Sequence, residues 1–324
     1  MHIFFAQFHD LSLCTLQSKK KEVKFSHKYE NYLQTRKIFV EGKAAMLKKR
    51  TLSPVKIILA VILVAVALFP ILWMLLLAIR PSSEMSSGNV SFLPAVYTLE
   101  NFRALFSEYN FLRALKNSVI VTASSLAISL CFGIPASYII ARNRFSFPGK
   151  TVITYWVLIV RILPPIAFAV PLYIMFSSIG ILKTLLPEVA ACVLINLPLI
   201  IWFLSSFFQD VPIELEESAK IDGASEWSAF CRIVLPLVLP GIAAVSMLSF
   251  VYAWNEYTYG VIFVQNASNY TTPLMLAILN TEDNIAKYGV VAAGGLVSIL
   301  PMAIFVIFAQ KSLISGLSSG AVKG

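Results

Sequence analysis

Six apolar runs, separated by short polar or charged stretches, dominate the pattern of the chain; they lie near residues 55–79, 117–140, 152–176, 187–208, 237–264 and 290–313. A helix of about 20 residues crosses the ~30 Å hydrocarbon core of a bilayer, and each run is long enough to do so. Water is absent there, so a spanning segment must close its backbone hydrogen bonds internally, as a helix does. The pattern therefore predicts an all-α integral membrane protein with six transmembrane helices. Composition agrees: of 324 residues, 58% are hydrophobic and 13% charged, against about 25% charged in a soluble domain. Mean hydropathy is +0.77.

The formal net charge of +9 does not call for a nucleic-acid partner, because Lys and Arg gather at the cytoplasmic ends of spans and fix their orientation. One side receives Lys48, Lys49, Arg50, Lys56, Arg142, Arg144, Lys150, Lys220, Arg232, Lys311 and Lys323. The other receives Arg80, Arg103, Arg113, Lys116, Lys183 and Lys287. Eleven against six predicts that both termini, and the loop between the fourth and fifth runs, are cytoplasmic. Residues 1–45 differ from the rest: they hold Lys19, Lys20, Lys21, Lys24, Lys28, Arg36, Lys37 and Lys43 and no spanning run. They read as a disordered basic tail or as an over-extended start before Met46, leaving 46–324 as the membrane domain. Cys14, Cys131, Cys192 and Cys231 show no paired or metal-like spacing and are expected as free thiols.

The loop after the fourth run is acidic and carries turn chemistry. Pro212 suits the first turn of a helix, where its missing N–H costs nothing. Glu214, Glu216 and Glu217 would sit at the positive end of that helix's dipole. Gly223 is placed to end it in a left-handed conformation, and Ser225 to cap a second helix. The expectation is a helix–Gly turn–helix knuckle. Its residues are Glu217-Ser218-Ala219, three residues ending in Asp222, then Gly223, nine residues, and Ile233-Val234-Leu235-Pro236. This spacing resembles the E-A-A-x3-G-x9-I-x-L-P loop of permease subunits of binding-protein-dependent ABC importers, with Ser218 where that family usually carries Ala.

Further segments resemble its maltose-type carbohydrate permeases: Arg161-Ile162-Leu163-Pro164-Pro165, Asn196-Leu197-Pro198, Trp254-Asn255-Glu256-Tyr257, Thr272-Pro273-Leu274 and the tail from Gly316. The likeness runs from about Met46 to the end. It implies a bacterial inner-membrane permease for a sugar or oligosaccharide, working with two separate ABC ATPase subunits, a second related permease and an extracytoplasmic sugar-binding protein. It also implies that Glu217, Ser218, Ala219, Asp222, Gly223, Ile233, Leu235 and Pro236 form the cytoplasmic loop that couples permease to ATPase.

Ionisable residues inside spans are functional candidates by default. Arg161 would lie within the third span, facing a wet path, pairing with a partner permease, or anchoring the helix. Tyr252, Glu256 and Tyr259 would share one helical face by their i, i+4, i+7 spacing, with Asn255 adjacent. Aromatic faces and hydrogen-bonding side chains suit a sugar, so these form the candidate substrate path; interface or gating roles are the bland alternative.

Enzymatic chemistry is not foreseen. Gly149-Lys150-Thr151 lacks the earlier glycine of a phosphate-cradling loop, since Arg144 stands there, and a preceding strand is not indicated. The three histidines lie at positions 2, 9 and 27, which leaves no histidine for catalysis or metal binding in the membrane domain. No cofactor is expected. The rival readings are an ATP-independent secondary transporter, which would need several buried carboxylates, and an ABC permease for a solute other than sugar.

Overall fold

The computed structural model describes residues 54–86, 91–142, 144–281 and 287–320. Every regular element among them is helical. The expected basic tail, 1–45, lies outside the described residues. The chain divides into two units, residues 1–68 and 69–324. The described part of the first unit is the apolar beginning of helix α1 (Pro54–Ala78).

In the second unit, α1 ends at Ala78, where Asn101 Nδ2 donates to the carbonyls of Ala78 (2.9 Å) and Arg80 (2.8 Å). Those two carbonyls have no further turn to bond to, so the buried amide takes the place of the missing donors. Two short helices follow, α2 (Ser82–Ser86) and α3 (Glu100–Ser107). The fully buried Arg80 donates to the carbonyl of Ser91 (2.6 Å), ahead of α3, and pairs with Glu84 of α2 (3.5 Å).

Helix α4 (Phe111–Ala141) crosses to the opposite end and packs along α7 (Leu186–Asp210). Gly133 permits this approach, because a Cβ there would lie 2.6 Å from Ile200 Cγ2. The third apolar run, expected as one span, is broken. Helix α5 (Lys150–Ile162) and the segment Pro165–Ser178, which is a 3-10 turn followed by α6 (Ala169–Ser178), are bent by 109°. Consecutive prolines explain the break: neither has an N–H to donate, and the residue before a proline is driven out of the helical region. Leu163 and Pro164 are indeed extended. The described chain thus has five helices long and apolar enough to span, or six if the bent pair counts as one.

The fifth run also differs from expectation at both ends. Helix α8 (Glu214–Ile221) and α9 (Glu226–Ala229) precede a π turn at Phe230–Val234, which leads directly into α10 (Leu235–Trp254). Pro236, the last residue of the family-like spacing, sits in the first turn of α10. Leu235 N–H bonds back five residues to Phe230, and Pro236 has no N–H with which to contest the wider ring. Helix α10 then stops at Trp254 rather than continuing to 264. Beyond it come α11 (Thr258–Phe263), α12 (Thr272–Thr281) and α13 (Tyr288–Gly320).

Helix α10 packs on α4, α7 and α13, and close approach to α7 depends on Gly241, where a Cβ would meet the Phe207 ring at 2.6 Å. One apolar core gathers Tyr138, Leu204, Phe208, Phe230, Val234 and Val238 at the knuckle end of α4, α7 and α10. A second joins α3, α12 and α13 with Ala78 and Phe111 at the other end.

Candidate functional site

The acidic loop folds as a knuckle between α7 and α10. Helix α8 ends at Asp222, and Gly223 adopts φ +88°. Gly223 N–H donates to Lys220 O (3.0 Å) and Ala224 N–H to Ala219 O (2.9 Å), the paired bonds of a Schellman cap. Ser225 Oγ then accepts from Ser228 N–H (3.2 Å) and starts α9. Pro212 lies just outside the first turn of α8 rather than within it, its carbonyl accepting from Leu215 N–H (3.4 Å).

Burial sorts the knuckle into two faces. Ala219 and Glu216 turn inward, and Glu216 is fully buried. Glu214, Glu217 and Asp222 are exposed, and Ser218 is half-buried. Ile221 is 85% exposed and Trp227 69% exposed, with Leu215 beside them in the open. Ile233 and Leu235 are partly buried in the chain leading to α10, and Pro236 is exposed. The outward surface is thus apolar at Ile221 and Trp227 and acidic around them. Ala219, expected to touch a partner, is covered by its own chain; the stagger of a helix places residues 216 and 219 on one side, opposite 217 and 221.

Glu216 is held by side chains far from it in the chain. Arg142 Nη2 lies 2.6 Å from its Oε1, and Arg144 Nη2 lies 2.8 Å from its Oε2. Tyr138 Oη donates to Oε2 at 2.7 Å. The Arg142 contact falls outside hydrogen-bond angles, so it is held by charge more than by direction. Arg142 itself donates to Val211 O (3.0 Å) at the end of α7. Arg144 also reaches Glu226 (2.7 Å), which pairs in turn with Lys220. Tyr138 is wedged between the rings of Phe145, Phe208 and Phe230. Removing Glu216 would leave the buried Arg142 uncompensated, at a cost of about 3–5 kcal/mol. The signal in the sequence is that Arg142 and Arg144 fall at the same end of the spans as the carboxylates Glu214, Glu216 and Glu217.

The candidate path residues do not share a helical face. Because α10 ends at Trp254, Asn255 caps it, its Nδ2 donating to Val251 O (2.8 Å). Buried Glu256 turns back as a cap for α11, accepting from the N–H groups of Tyr259 (2.8 Å) and Gly260 (3.2 Å). Tyr259 is fully buried and donates its hydroxyl to Pro165 O (2.8 Å), in the break of the third run. Tyr252 is partly buried and Asn255 exposed. Arg161 is exposed at the end of α5, its guanidinium 5.5 Å from the Trp202 ring. No group of three or more metal-ligating side chains occurs among the described residues.

Comparison with known proteins agrees with this architecture. Residues 133–315 match the family described as binding-protein-dependent transport system inner membrane component. The chain is 32% identical to the trehalose transport system permease protein of Mycobacterium tuberculosis, over 82% of this chain and 96% of that protein. It is 32% identical to a diacetylchitobiose uptake system permease protein of Streptomyces coelicolor, over 82% and 95%. An inner membrane ABC transporter permease protein of Escherichia coli is 33% identical over 85% and 99%. In a solved bacterial ABC transporter involved in the import of alginate, one chain shares the fold, with a TM-score of 0.66 at 20% identity over 79% of this chain and 94% of that one. By these matches and by its helices, the chain belongs to the inner membrane components of binding-protein-dependent transport systems and is a multi-pass transport subunit, not an enzyme.

Proposed function

We propose that this chain, over residues 46–324, is the permease subunit of a bacterial ABC importer for a carbohydrate, powered by ATP hydrolysis on two separate ATPase subunits. The observation that carries the reading is the knuckle, a rigidly capped loop that turns Ile221 and Trp227 outward amid exposed carboxylates. An apolar prominence ringed by charge fits a groove on a partner protein better than it fits water. The named substrates of the relatives in M. tuberculosis and S. coelicolor, trehalose and diacetylchitobiose, support a sugar or oligosaccharide.

In this reading both termini and the knuckle are cytoplasmic. A second, related permease completes the path, and an extracytoplasmic binding protein delivers the sugar to its outer mouth. Closure of the ATPase pair on ATP moves the knuckle and swings the spans outward-facing; hydrolysis returns them. Glu217 supplies a polar anchor, Gly223 the turn, and Ile221 and Trp227 the apolar contact that Ala219 cannot make from inside. Ser218 and Asp222 close the C-terminal turn, and Ile233, Leu235 and Pro236 join the knuckle to the fifth span. Asn255 and Tyr252 border the path, with Arg161 near its broken span and Glu256 and Tyr259 fixing the backbone there.

The test is purification of tagged protein from its native membrane in mild detergent. Co-purification of an ABC ATPase, a second permease and a sugar-binding protein is expected, with the ATPase lost on Glu217→Lys. A homo-oligomer without an ATPase would overturn the reading.

A further inference from the structure

The knuckle is continuous in the chain with α7 and α10, so any displacement of it reaches those helices through covalent bonds. It has no such connection to α4 or to the loop that leads into α5. Side chains bridge that gap, and three of them meet at one buried atom group, the carboxylate of Glu216. Arg142 and Arg144 come from the end of α4, Tyr138 from one turn earlier, and all three meet the same buried carboxylate. Lys150, the first residue of α5, ties the loop together by donating to the carbonyls of Arg142 (2.8 Å) and Phe145 (3.2 Å).

We propose that Glu216, gripped by Arg142, Arg144 and Tyr138, is the latch that makes the second span and the start of the third move with the knuckle. These are positioning residues, and the inference rests on the knuckle being the ATPase contact. Two features suit a latch rather than a general packing contact. The carboxylate is fully buried, so solvent screening of its attraction to the arginines is weak. Opposite charges also keep attracting across a changing gap, whereas an apolar contact forfeits about a quarter to a half of its attraction within about 1 Å of separation. Glu226, at the other end of the knuckle, reaches the same Arg144 (2.7 Å) but is 56% exposed. It is the weaker strand of the link.

The latch is tested on the complete complex, reconstituted with its ATPase, in a background where the four native cysteines are replaced by serine. Spin labels are placed through Ser146→Cys, in the exposed loop after α4, and Glu214→Cys, on the exposed knuckle. Label separation is measured by pulsed electron resonance without nucleotide and with ATP–vanadate. With the latch intact the separation is the same in both states, because loop and knuckle travel together. Glu216→Gln keeps the shape and removes the charge, and it is expected to shift the separation on nucleotide binding; Glu216→Asp restores the constant distance. A merely space-filling role would leave Glu216→Gln indistinguishable from wild type.

A constant separation in Glu216→Gln, or a nucleotide-dependent one in wild type, overturns the latch. Should Glu216→Gln fail to insert, the pair Arg142→Gln and Arg144→Gln decides the matter: it leaves the carboxylate and removes both opposing charges, so a nucleotide-dependent shift supports the latch and a constant distance overturns it. If the ATPase does not co-purify with wild type, the transport reading fails; if it does and the distances refuse to move, only the latch fails.

Discussion

Replacing Gly223 isolates the backbone geometry of the knuckle from its contacts. A Cβ at this position would meet nothing within 4 Å, yet φ is +88°, so the penalty comes from conformation and not from crowding. An L-residue held left-handed costs about 1–2 kcal/mol, and β-branched residues are among the least suited to it. Escaping the strain means abandoning the two cap bonds from Gly223 and Ala224 (3.0 and 2.9 Å), each worth roughly 0.5–1.5 kcal/mol net. Either way the native knuckle loses about 1–2 kcal/mol relative to alternatives, a factor of about 5–30 in its population.

Gly223→Val should therefore lower uptake of the sugar carried by the co-purifying binding protein by about tenfold, with membrane insertion unchanged. Gly223→Ala should fall at the mild end of that range. Gly223→Asn should stay close to wild type, because Asn tolerates the left-handed region. The assay is initial uptake in proteoliposomes, normalised to inserted protein. Wild-type uptake in Gly223→Val would refute the strain argument. Equal defects in Gly223→Asn and Gly223→Val would also refute it, by showing that any side chain at 223 obstructs a partner.

Glu256→Ala removes the acceptor that caps α11 and should cost about 0.5–2 kcal/mol, read as a lower melting temperature in detergent, while Glu256→Asn retains most of the stability. An unchanged melting temperature with a selective loss of sugar affinity would instead put this carboxylate in the substrate path. Gly241→Val drives a methyl group into the Phe207 ring and should destabilise the α7–α10 contact by about 1–3 kcal/mol; wild-type melting would show that the helices can part freely there.

The sequence exposed what depends on local chemistry. Run length located the five long spanning helices and the bent pair in the third run, because a bilayer demands about 20 apolar residues whatever their neighbours do. The Gly223 turn and the Ser225 cap were legible because each is decided within one helical turn. Pro164-Pro165 stands inside the third run in the sequence, but the break there and its 109° bend depend also on what lies alongside, including the Tyr259 hydroxyl on Pro165 O. The end of the fifth span is marked in the sequence only by Asn255 and Glu256, within a run at 237–264 that is otherwise mostly apolar, so hydropathy carries the span straight through it. It is set where Glu256 folds back onto two N–H groups.

By itself, then, the sequence determined an all-helical membrane protein with a capped acidic knuckle in a recognisable spacing. Only the tertiary structure decided which face of that knuckle points outward and which carboxylate it buries. Glu214, Glu216 and Glu217 are chemically alike in the sequence. They become different only when Arg142, Arg144 and Tyr138, some 70 residues away in the chain, are folded against one of them.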